Sequence, residues 1–310
     1  MSIGGDDFTF SKALAASITR AASKQTYYTV RFLVDRDRIP DAYRAYAYFR
    51  WVDDRLDRGV TEQSERVAFL DRQRALMDRC YQGEWPLDPT VEERMLVDLI
   101  RRDREKSSGL QSYIRNMMAV MAFDAERKGR LISQEELAGY TQCLAAAVTE
   151  ALHYFIGNGH PSPRSEARYL AATAAHITHM LRDTLEDTAA GYFNIPREFL
   201  ASHAIASQAV ASDAYRMWVH SRVRLARDYF KAGRDYLAQV ENLRCRIAGY
   251  AYIARFEWVL DAIEREDYRL RPGYRERKSL GAGLRMTWLA LSLALSRRRP
   301  QTESRVLLVH

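Results

Sequence analysis

Apolar residues recur at three- and four-residue intervals along most of the chain, which is the spacing of helices that bury one face. No segment combines apolar/polar alternation with the β-branched composition of a strand. Thr90-Val-Glu-Glu93 and Ser133-Gln-Glu-Glu136 have the form of capping boxes, and Pro40-Asp41 opens a further helix. The pattern predicts an all-α protein with helices at about residues 8–22, 41–58, 62–81, 90–105, 109–128, 134–156, 165–189, 205–240, 243–267 and 278–297.

Glycine and proline are sparse, and neither forms a run that would separate two domains. The chain has 15 glycines and 8 prolines in 310 residues. Four breaks interrupt the helical pattern, at Gly83–Pro89, Lys128–Ile132, Gly157–Pro163 and Gly191–Pro196. We expect an N-terminal arm and first helix over residues 1–22, one all-α domain over residues 23–297, and a basic, flexible tail over residues 298–310.

The charge and cysteine content narrow the range of functions. The net charge is +7, but the Lys and Arg residues are dispersed and no nucleic-acid-binding motif accompanies them, so nucleic acid is not the expected partner. The three cysteines are too widely spaced for a disulfide framework or a zinc site. Residues 1–7 are acidic and carry no apolar core, so we expect no signal peptide and a cytoplasmic protein.

A short apolar stretch with basic residues lies near the C-terminus. Residues 284–295 contain Trp288 and several leucines and are followed by Arg297-Arg298-Arg299. The stretch is too short to span a bilayer but could lie on one, giving peripheral contact with the inner membrane surface through residues 284–299. A last core helix with a solvated basic end is the alternative. Oligomeric state is not indicated.

Two aspartate pairs with the same spacing stand far apart in the chain. Asp53 and Asp57 form the first D-x-x-x-D pair, and Asp183 and Asp187 form the second. Residues four apart lie on one face of a helix, so each pair directs two carboxylates the same way. Mg²⁺ is usually held by such carboxylates together with substrate phosphates. The alternative is an ordinary solvated helix face balanced by nearby arginines.

The residues around the pairs favour a buried site. Asp53 and Asp57 follow a stretch rich in tyrosine, phenylalanine and tryptophan over residues 43–52, and the second pair follows Ile177, Met180 and Leu181. A carboxylate in such surroundings needs a cation or a proton. We therefore predict two facing clamps for divalent cations.

The segments around both pairs resemble the squalene/phytoene synthase family. The first match contains Ser23-Lys24, Tyr27-Tyr28 and the stretch from Arg44 to Asp57, and the second contains Ile177–Asp183, Glu186-Asp187 and Ile195-Pro196. Between them, Glu136–Tyr140 resembles the helix that carries an active-site tyrosine. The resemblance covers roughly residues 23–278. It implies an isoprenoid-synthase-type helical bundle around a central cavity, with Mg²⁺ (two or three ions) as cofactor and a prenyl diphosphate (C15 or C20) as substrate.

The chain departs from the family pattern at several pocket positions. His176 and His179 stand where Gln and Asn are usual, and Tyr192 and Asn194 stand where Arg and Tyr are expected. Imidazole suits transition metals better than Mg²⁺, so the third metal position of the family is altered. Late in the chain, Phe256 replaces a usual Tyr.

Further residues beside the clamps can be given roles. Arg50 and Arg182 can reach phosphate oxygens, although a salt bridge to a neighbouring Asp is the alternative. Aromatic faces stabilise a carbocation, which is the role expected of Tyr46, Tyr28 and Tyr140, with core packing as the alternative. His176 is either a base that takes a proton or a core histidine. The predicted catalytic residues are Tyr140, Tyr46 and His176; the predicted substrate-binding residues are Arg50, Arg182, Tyr28, Ser23 and His179.

Three functions follow. The first is Mg²⁺-dependent head-to-head joining of two prenyl diphosphates, as the resemblance implies. The second is a terpene synthase that ionises one prenyl diphosphate and cyclises or rearranges it, which the altered pocket positions favour. The third is a non-catalytic helical assembly or binding protein. Chain length and any reductive step stay open; NADPH is not indicated, because no G-x-G-x-x-G follows a strand.

Overall fold

The structure, a computed structural model, describes residues 4–59, 62–157 and 159–274. These residues form helices joined by turns, without a strand, so the all-α prediction is confirmed. The helices are α1 (Gly4–Ala22), α2 (Lys24–Leu33), α3 (Ile39–Asp54), α4 (Gln63–Tyr81), α5 (Val91–Arg102), α6 (Gly109–Arg127), α7 (Gln134–Phe155), α8 (Ala167–Ala189), α9 (Arg197–Ser202), α10 (Asp213–Leu237) and α11 (Leu243–Arg265). A π-helical turn over Arg55–Gly59 follows α3 directly.

Side-chain caps determine where several helices begin. Thr90 and Ser133 each accept a hydrogen bond from the third residue of the following helix, whose glutamate side chain accepts one from the cap's backbone N–H. Both predicted capping boxes are therefore confirmed. Ser23, Ser108, Ser212 and Asn242 cap α2, α6, α10 and α11 in the simpler one-bond form.

The bundle is built around α7 and α8. Helix α8 packs against both α7 and α10, while α7 packs against α6. The α8–α10 contact is especially close at Gly233, where an added Cβ atom would lie 2.7 Å from the Cβ atom of Ala171. Helix α3 packs against α1 and α5 and carries the first aspartate pair to the same bundle.

Two glycines bring the ends of α6 and α8 together. Gly129 and Gly191 both have positive φ, +78° and +87°, which side chains other than glycine's rarely allow. The N–H of Gly129 donates a hydrogen bond of 2.8 Å to the carbonyl of Gly191. The breaks predicted at Lys128–Ile132 and Gly191–Pro196 are therefore neighbours in space.

Some predicted helix boundaries were wrong. No helix was predicted between residues 23 and 40, yet α2 lies there, and the helix predicted over 205–240 is limited to α10, with α9 preceding it. The helix predicted over 41–58 ends as an α-helix at Asp54. Residues 26–30 of α2 are threonine, tyrosine and valine, which are weak helix formers, so tertiary packing outweighs local preference there.

The predicted C-terminal features lie outside the described residues. These are the helix at 278–297, the membrane contact through 284–299 and the tail at 298–310. Within the described part of the chain, no helix is long and apolar enough to cross a membrane. The predicted domain boundaries stay predictions.

Candidate active site

Both aspartate pairs line one cavity at the end of the bundle. Its volume is about 300 Å³. Residues from five structural regions meet there: the end of α3 with its π-turn, α4, the end of α6, α7 and α8 with its following loop. They are Asp53, Leu56, Asp57, Arg66, Met121, Asp124, Ala125, Arg127, Tyr140, His176, His179, Met180, Asp183, Asp187, Tyr192 and Asn194.

The first pair lies at the junction of α3 and the π-turn. Asp53 is in the last turn of α3, and Asp57 is within Arg55–Gly59, where Leu56 turns into the core. Single π-helical turns are frequent at functional sites. Burial and then the neighbouring Asp57 raise the pKa of Asp53 to about 6. The carboxylates of Asp53 and Asp57 are thus held near one another, and their negative charge is not fully neutralised by neighbouring groups.

The second pair lies near the C-terminal end of α8. Burial and then Asp183 raise the pKa of Asp187 to about 6, while a hydrogen bond from Asn194 acts in the opposite direction. That bond runs from Asn194 Nδ2 to Asp187 Oδ2 over 2.7 Å. Asp183 accepts two hydrogen bonds of 2.6 Å from Arg182, and His179 Nε2 lies 3.3 Å from its Oδ2.

The arginines beside the clamps form salt bridges to neighbouring aspartates. Arg50 bonds to Asp54 at 2.6 and 3.1 Å and to Asp53 at 3.2 Å. Arg182 makes the two bonds to Asp183 described above. Neither arginine is among the residues that line the cavity. In this structure, the alternative considered from the sequence, an ion pair with an adjacent aspartate, describes their contacts.

Tyr140 and His176 form an aromatic wall of the cavity. Their rings meet edge to face with centroids 5.0 Å apart, and Phe123 lies 5.0 Å from Tyr140 on another side. The Tyr140 hydroxyl donates a 2.9 Å hydrogen bond to Asp124 Oδ2. His176 is buried, and its Nε2 has no hydrogen-bond partner among the described residues. Burial, then His179 and Arg127, lower the pKa of His176 to about 3, so the ring is neutral at pH 7.

Besides Arg50 and Arg182, three further predicted site residues lie outside the cavity lining. Ser23 caps α2 and is hydrogen-bonded to Tyr46, whose hydroxyl is also close enough to Arg50 for their charges to interact. These two residues are therefore beside the first pair. Tyr28 is half exposed on α2, where its ring stacks on that of Phe32 with centroids 6.1 Å apart.

Two important residues of the site were missed from the sequence. Asp124 and Arg127 lie one turn apart at the end of α6 and are joined by a 2.7 Å hydrogen bond from Arg127 Nε to Asp124 Oδ1. An aspartate and an arginine at this spacing are typical of a solvated helix face. The run Phe123-Asp-Ala-Glu-Arg127 gave no sign that both would enter a cavity with four other carboxylates.

The donors in the cavity fit a hard divalent cation. All four clamp residues offer carboxylate oxygens, and the raised pKa values of Asp53 and Asp187 show that their negative charge is under-compensated. Within the described residues, no three His, Cys, Asp or Glu side chains converge closely enough to make a metal site by themselves. Mg²⁺ usually takes one or two carboxylates and completes its coordination with waters and substrate phosphates, which this arrangement allows.

Comparisons with known proteins agree on one family. The family model described as "Squalene/phytoene synthase" matches residues 19–282. The 15-cis-phytoene synthase of Synechococcus elongatus is 26% identical over 261 residues, covering 79% of this chain and 81% of the relative. The presqualene diphosphate synthase of Zymomonas mobilis is 29% identical over 192 residues, covering 61% of this chain and 62% of the relative.

A solved structure supports the fold. The squalene synthase HpnC from Alicyclobacillus acidocaldarius superposes with a TM-score of 0.68 at 22% identity, covering 86% of this chain and 97% of that protein. At this identity the likeness concerns the fold alone. It is the isoprenoid-synthase-like helical architecture.

Proposed function

The chain belongs to the squalene/phytoene synthase family, and from this premise we propose that it joins two prenyl diphosphates head to head with release of diphosphate. As a member of the family it is a transferase acting on prenyl diphosphates. One observation carries the proposal for this chain in particular. The four carboxylates of two D-x-x-x-D pairs, from distant parts of the sequence, line the same cavity.

The carboxylates are suited to hold Mg²⁺, which we propose as the cofactor. Asp53 and Asp57 would hold it on one side of the cavity, and Asp183 and Asp187 on the other. When bound, Mg²⁺ supplies positive charge that neutralises the diphosphate as it leaves. Asn194 donates to one oxygen of Asp187, and Arg182 donates to both oxygens of Asp183, so both carboxylates are held in fixed directions.

Departure of the diphosphate leaves an allylic carbocation that must be kept from water. Leu56, Met121 and Met180 provide apolar surface in the cavity wall. The ring of Tyr140 offers an electron-rich face, and its hydroxyl is tied to Asp124, so the ring is held in place. His176 lines the cavity and its Nε2 lacks a partner among the described residues, which supports it as the acceptor of a proton at the end of the reaction.

The size of the cavity supports a second candidate. A cavity of about 150 Å³ holds one benzene molecule, so room of this kind corresponds to roughly 25 Å³ per carbon. The volume of about 300 Å³ found here then corresponds to about a dozen carbons, well short of two C15 chains. This observation favours an enzyme that ionises a single prenyl diphosphate and cyclises or rearranges it on the same scaffold.

Product mass separates the two candidates. Purified full-length protein is incubated with Mg²⁺ and a C15 or C20 prenyl diphosphate, and both diphosphate release and the mass of the organic extract are measured. Asp53→Ala and Asp183→Ala test one clamp each. Glu186→Ala is the matched control, because Glu186 is an exposed acid between the residues of the second pair and does not line the cavity.

We expect a product with twice the carbon number of the substrate, absent from both aspartate variants and retained in the control. A hydrocarbon or alcohol of unchanged carbon number would replace the coupling proposal with the single-substrate one. If no chain length releases diphosphate, both catalytic proposals are refuted and the non-catalytic binding protein is the function that is left.

A further inference from the structure

Arg127 is a buried cation in the cavity with donors left over. Its side chain belongs to the last turn of α6 and is 5% exposed. Nε donates to Asp124 Oδ1 over 2.7 Å, and Nη1 donates to Asn194 Oδ1 over 2.8 Å. Nη2 has no acceptor among the described residues but keeps accessible surface, and Arg127 lines the cavity. A buried guanidinium is costly unless its donors are used, so the remaining donors call for an anionic partner.

Aromatic rings hold the guanidinium in one orientation. Its Cζ atom lies 4.9 Å from the ring centroid of Tyr140 and 5.1 Å from that of Tyr192, with Phe123 at 5.7 Å. Rings against a guanidinium exclude water from its faces and leave its N–H edge for hydrogen bonding. Because Nε binds Asp124 and Nη1 binds Asn194, Nη2 is the nitrogen that is left for a ligand.

The charge of Arg127 is secure in this position. Burial acts to lower its pKa, but Asp124 and, further away, Asp187 outweigh burial, and the pKa is raised above its ordinary value. The cation is therefore retained beside the Asp124 carboxylate, in the cavity that both aspartate pairs line.

The loop after α8 contacts the cation through Tyr192 and Asn194. Position 192, where the family resemblance leads us to expect an arginine, is a tyrosine in this chain, and its ring lies against Arg127. The position expected to hold a tyrosine is Asn194, which binds Arg127 directly. In this chain the positive charge beside the loop comes from the end of α6.

We propose that Arg127 binds the diphosphate group of the substrate through its free N–H edge. The inference rests on the proposed function, because a prenyl diphosphate is the ligand that such a cavity takes in this family. Planar guanidinium groups bind phosphate oxygens with two parallel hydrogen bonds, which a lysine cannot reproduce. The alternative is that Arg127 only holds Asn194 in position, and that Asn194 in turn holds Asp187.

Binding of inorganic pyrophosphate tests the proposal without requiring turnover. Calorimetry in the presence of Mg²⁺ is done on the wild type, Arg127→Gln, Arg127→Lys, Asn194→Ala and Arg130→Gln. Arg130 is the matched control, since it lies three residues after Arg127 in the loop that follows α6, binds Glu136 and does not line the cavity. We expect Arg127→Gln to weaken pyrophosphate binding about 10- to 100-fold, the size expected for loss of a charged hydrogen bond. Arg127→Lys should show a smaller loss and Arg130→Gln none.

The Mg²⁺ dependence distinguishes direct binding from bracing. If Arg127 contacts the diphosphate, the Mg²⁺ concentration at half-maximal pyrophosphate binding stays within about twofold of the wild type in Arg127→Lys. If it only braces Asp187, Asn194→Ala reproduces the whole loss and both variants need more Mg²⁺, which would overturn the proposal. Thermal unfolding checks that each variant is folded, and Arg127→Lys decides the question if Arg127→Gln does not fold.

The outcomes also separate this proposal from the proposed function. If the wild type binds pyrophosphate but converts no prenyl diphosphate, the proposed function is refuted. The pyrophosphate affinities of the wild type and the Arg127 variants then still test the role of Arg127. A wild type that converts prenyl diphosphates, with pyrophosphate affinity unchanged in Arg127→Gln, refutes the role of Arg127 alone. A wild type that does not bind pyrophosphate with Mg²⁺ overturns the role of Arg127 directly.

Discussion

Replacing Asp187 by asparagine should stabilise the metal-free protein while abolishing its activity. The substitution removes the charge but keeps an oxygen that can accept the hydrogen bond from Asn194. The pKa of Asp187 is raised from its ordinary value of 3.8 to about 6 by burial and by Asp183. A shift of about two units corresponds to roughly 3 kcal/mol of destabilisation by the ionised form. Asp187 lines an open cavity and is only partly buried, so screening reduces this to about 1–2 kcal/mol.

The stability gain has a defined pH dependence. The raised pKa means that the folded state binds the Asp187 proton more tightly than the unfolded chain does. The stabilising contribution of that proton is complete below pH 4, near the unfolded pKa, and is lost as the pH rises through about 6. The advantage of Asp187→Asn over the wild type should therefore be largest above pH 7 and should shrink as the pH falls from 6 towards 4.

Thermal unfolding in EDTA measures the effect, with Glu186→Gln as the control. A gain of about 1–2 kcal/mol raises the midpoint by about 1.5–3 °C in a chain of this size. Glu186 is exposed and is the adjacent residue, so its change in charge should leave both the midpoint and product formation nearly unaltered. Activity with Mg²⁺ should fall by about 100-fold or more in Asp187→Asn alone. Destabilisation of the metal-free variant, or equal activity of the two variants, would refute this account of the second clamp.

Two further predictions concern packing and metal binding. Gly233→Ala should destabilise the protein by about 1–3 kcal/mol in urea titrations, because its Cβ atom would lie 2.7 Å from that of Ala171. Gly139→Ala, on an open face of α7 with no atom within 4 Å of the added Cβ, should instead stabilise by about 0.5–1 kcal/mol, and equal effects of the two changes would contradict the close α8–α10 contact. Mg²⁺ should bind more weakly at pH 5.5 than at pH 7.5, with protons released on binding, because Asp53 and Asp187 both have pKa values of about 6. Calorimetry in two buffers of different ionisation enthalpy measures that release, and pH-independent affinity would exclude these carboxylates as ligands.

Local signals in the sequence were sufficient for most helices. The two capping boxes, the proline at the start of α3 and the glycines at the four breaks act over only a few residues, so they can be recognised without the fold. Helix α2 could not be predicted in this way. Its threonine and tyrosine residues are weak helix formers, and α2 is packed against α1, α3 and α11.

The two aspartate pairs were recognisable in the sequence for a different reason. The spacing of Asp53 with Asp57 and of Asp183 with Asp187 carries chemical information of its own, because residues four apart share a helix face. Their apolar surroundings in the sequence indicated burial. That the two pairs line one cavity is a tertiary fact, which results from α3 and α8 meeting in the same bundle.

The sequence by itself determined most of the helices, the aspartate pairs and the family resemblance, because each depends on residues close together in the chain. Only the tertiary structure decided the roles of Asp124, Arg127 and Asn194. Arg127 is buried because the end of α6 meets the loop after α8, where Gly129 and Gly191 are hydrogen-bonded. The burial of a charged side chain depends on which distant segment covers it, and the spacing of residues along one helix does not identify that segment.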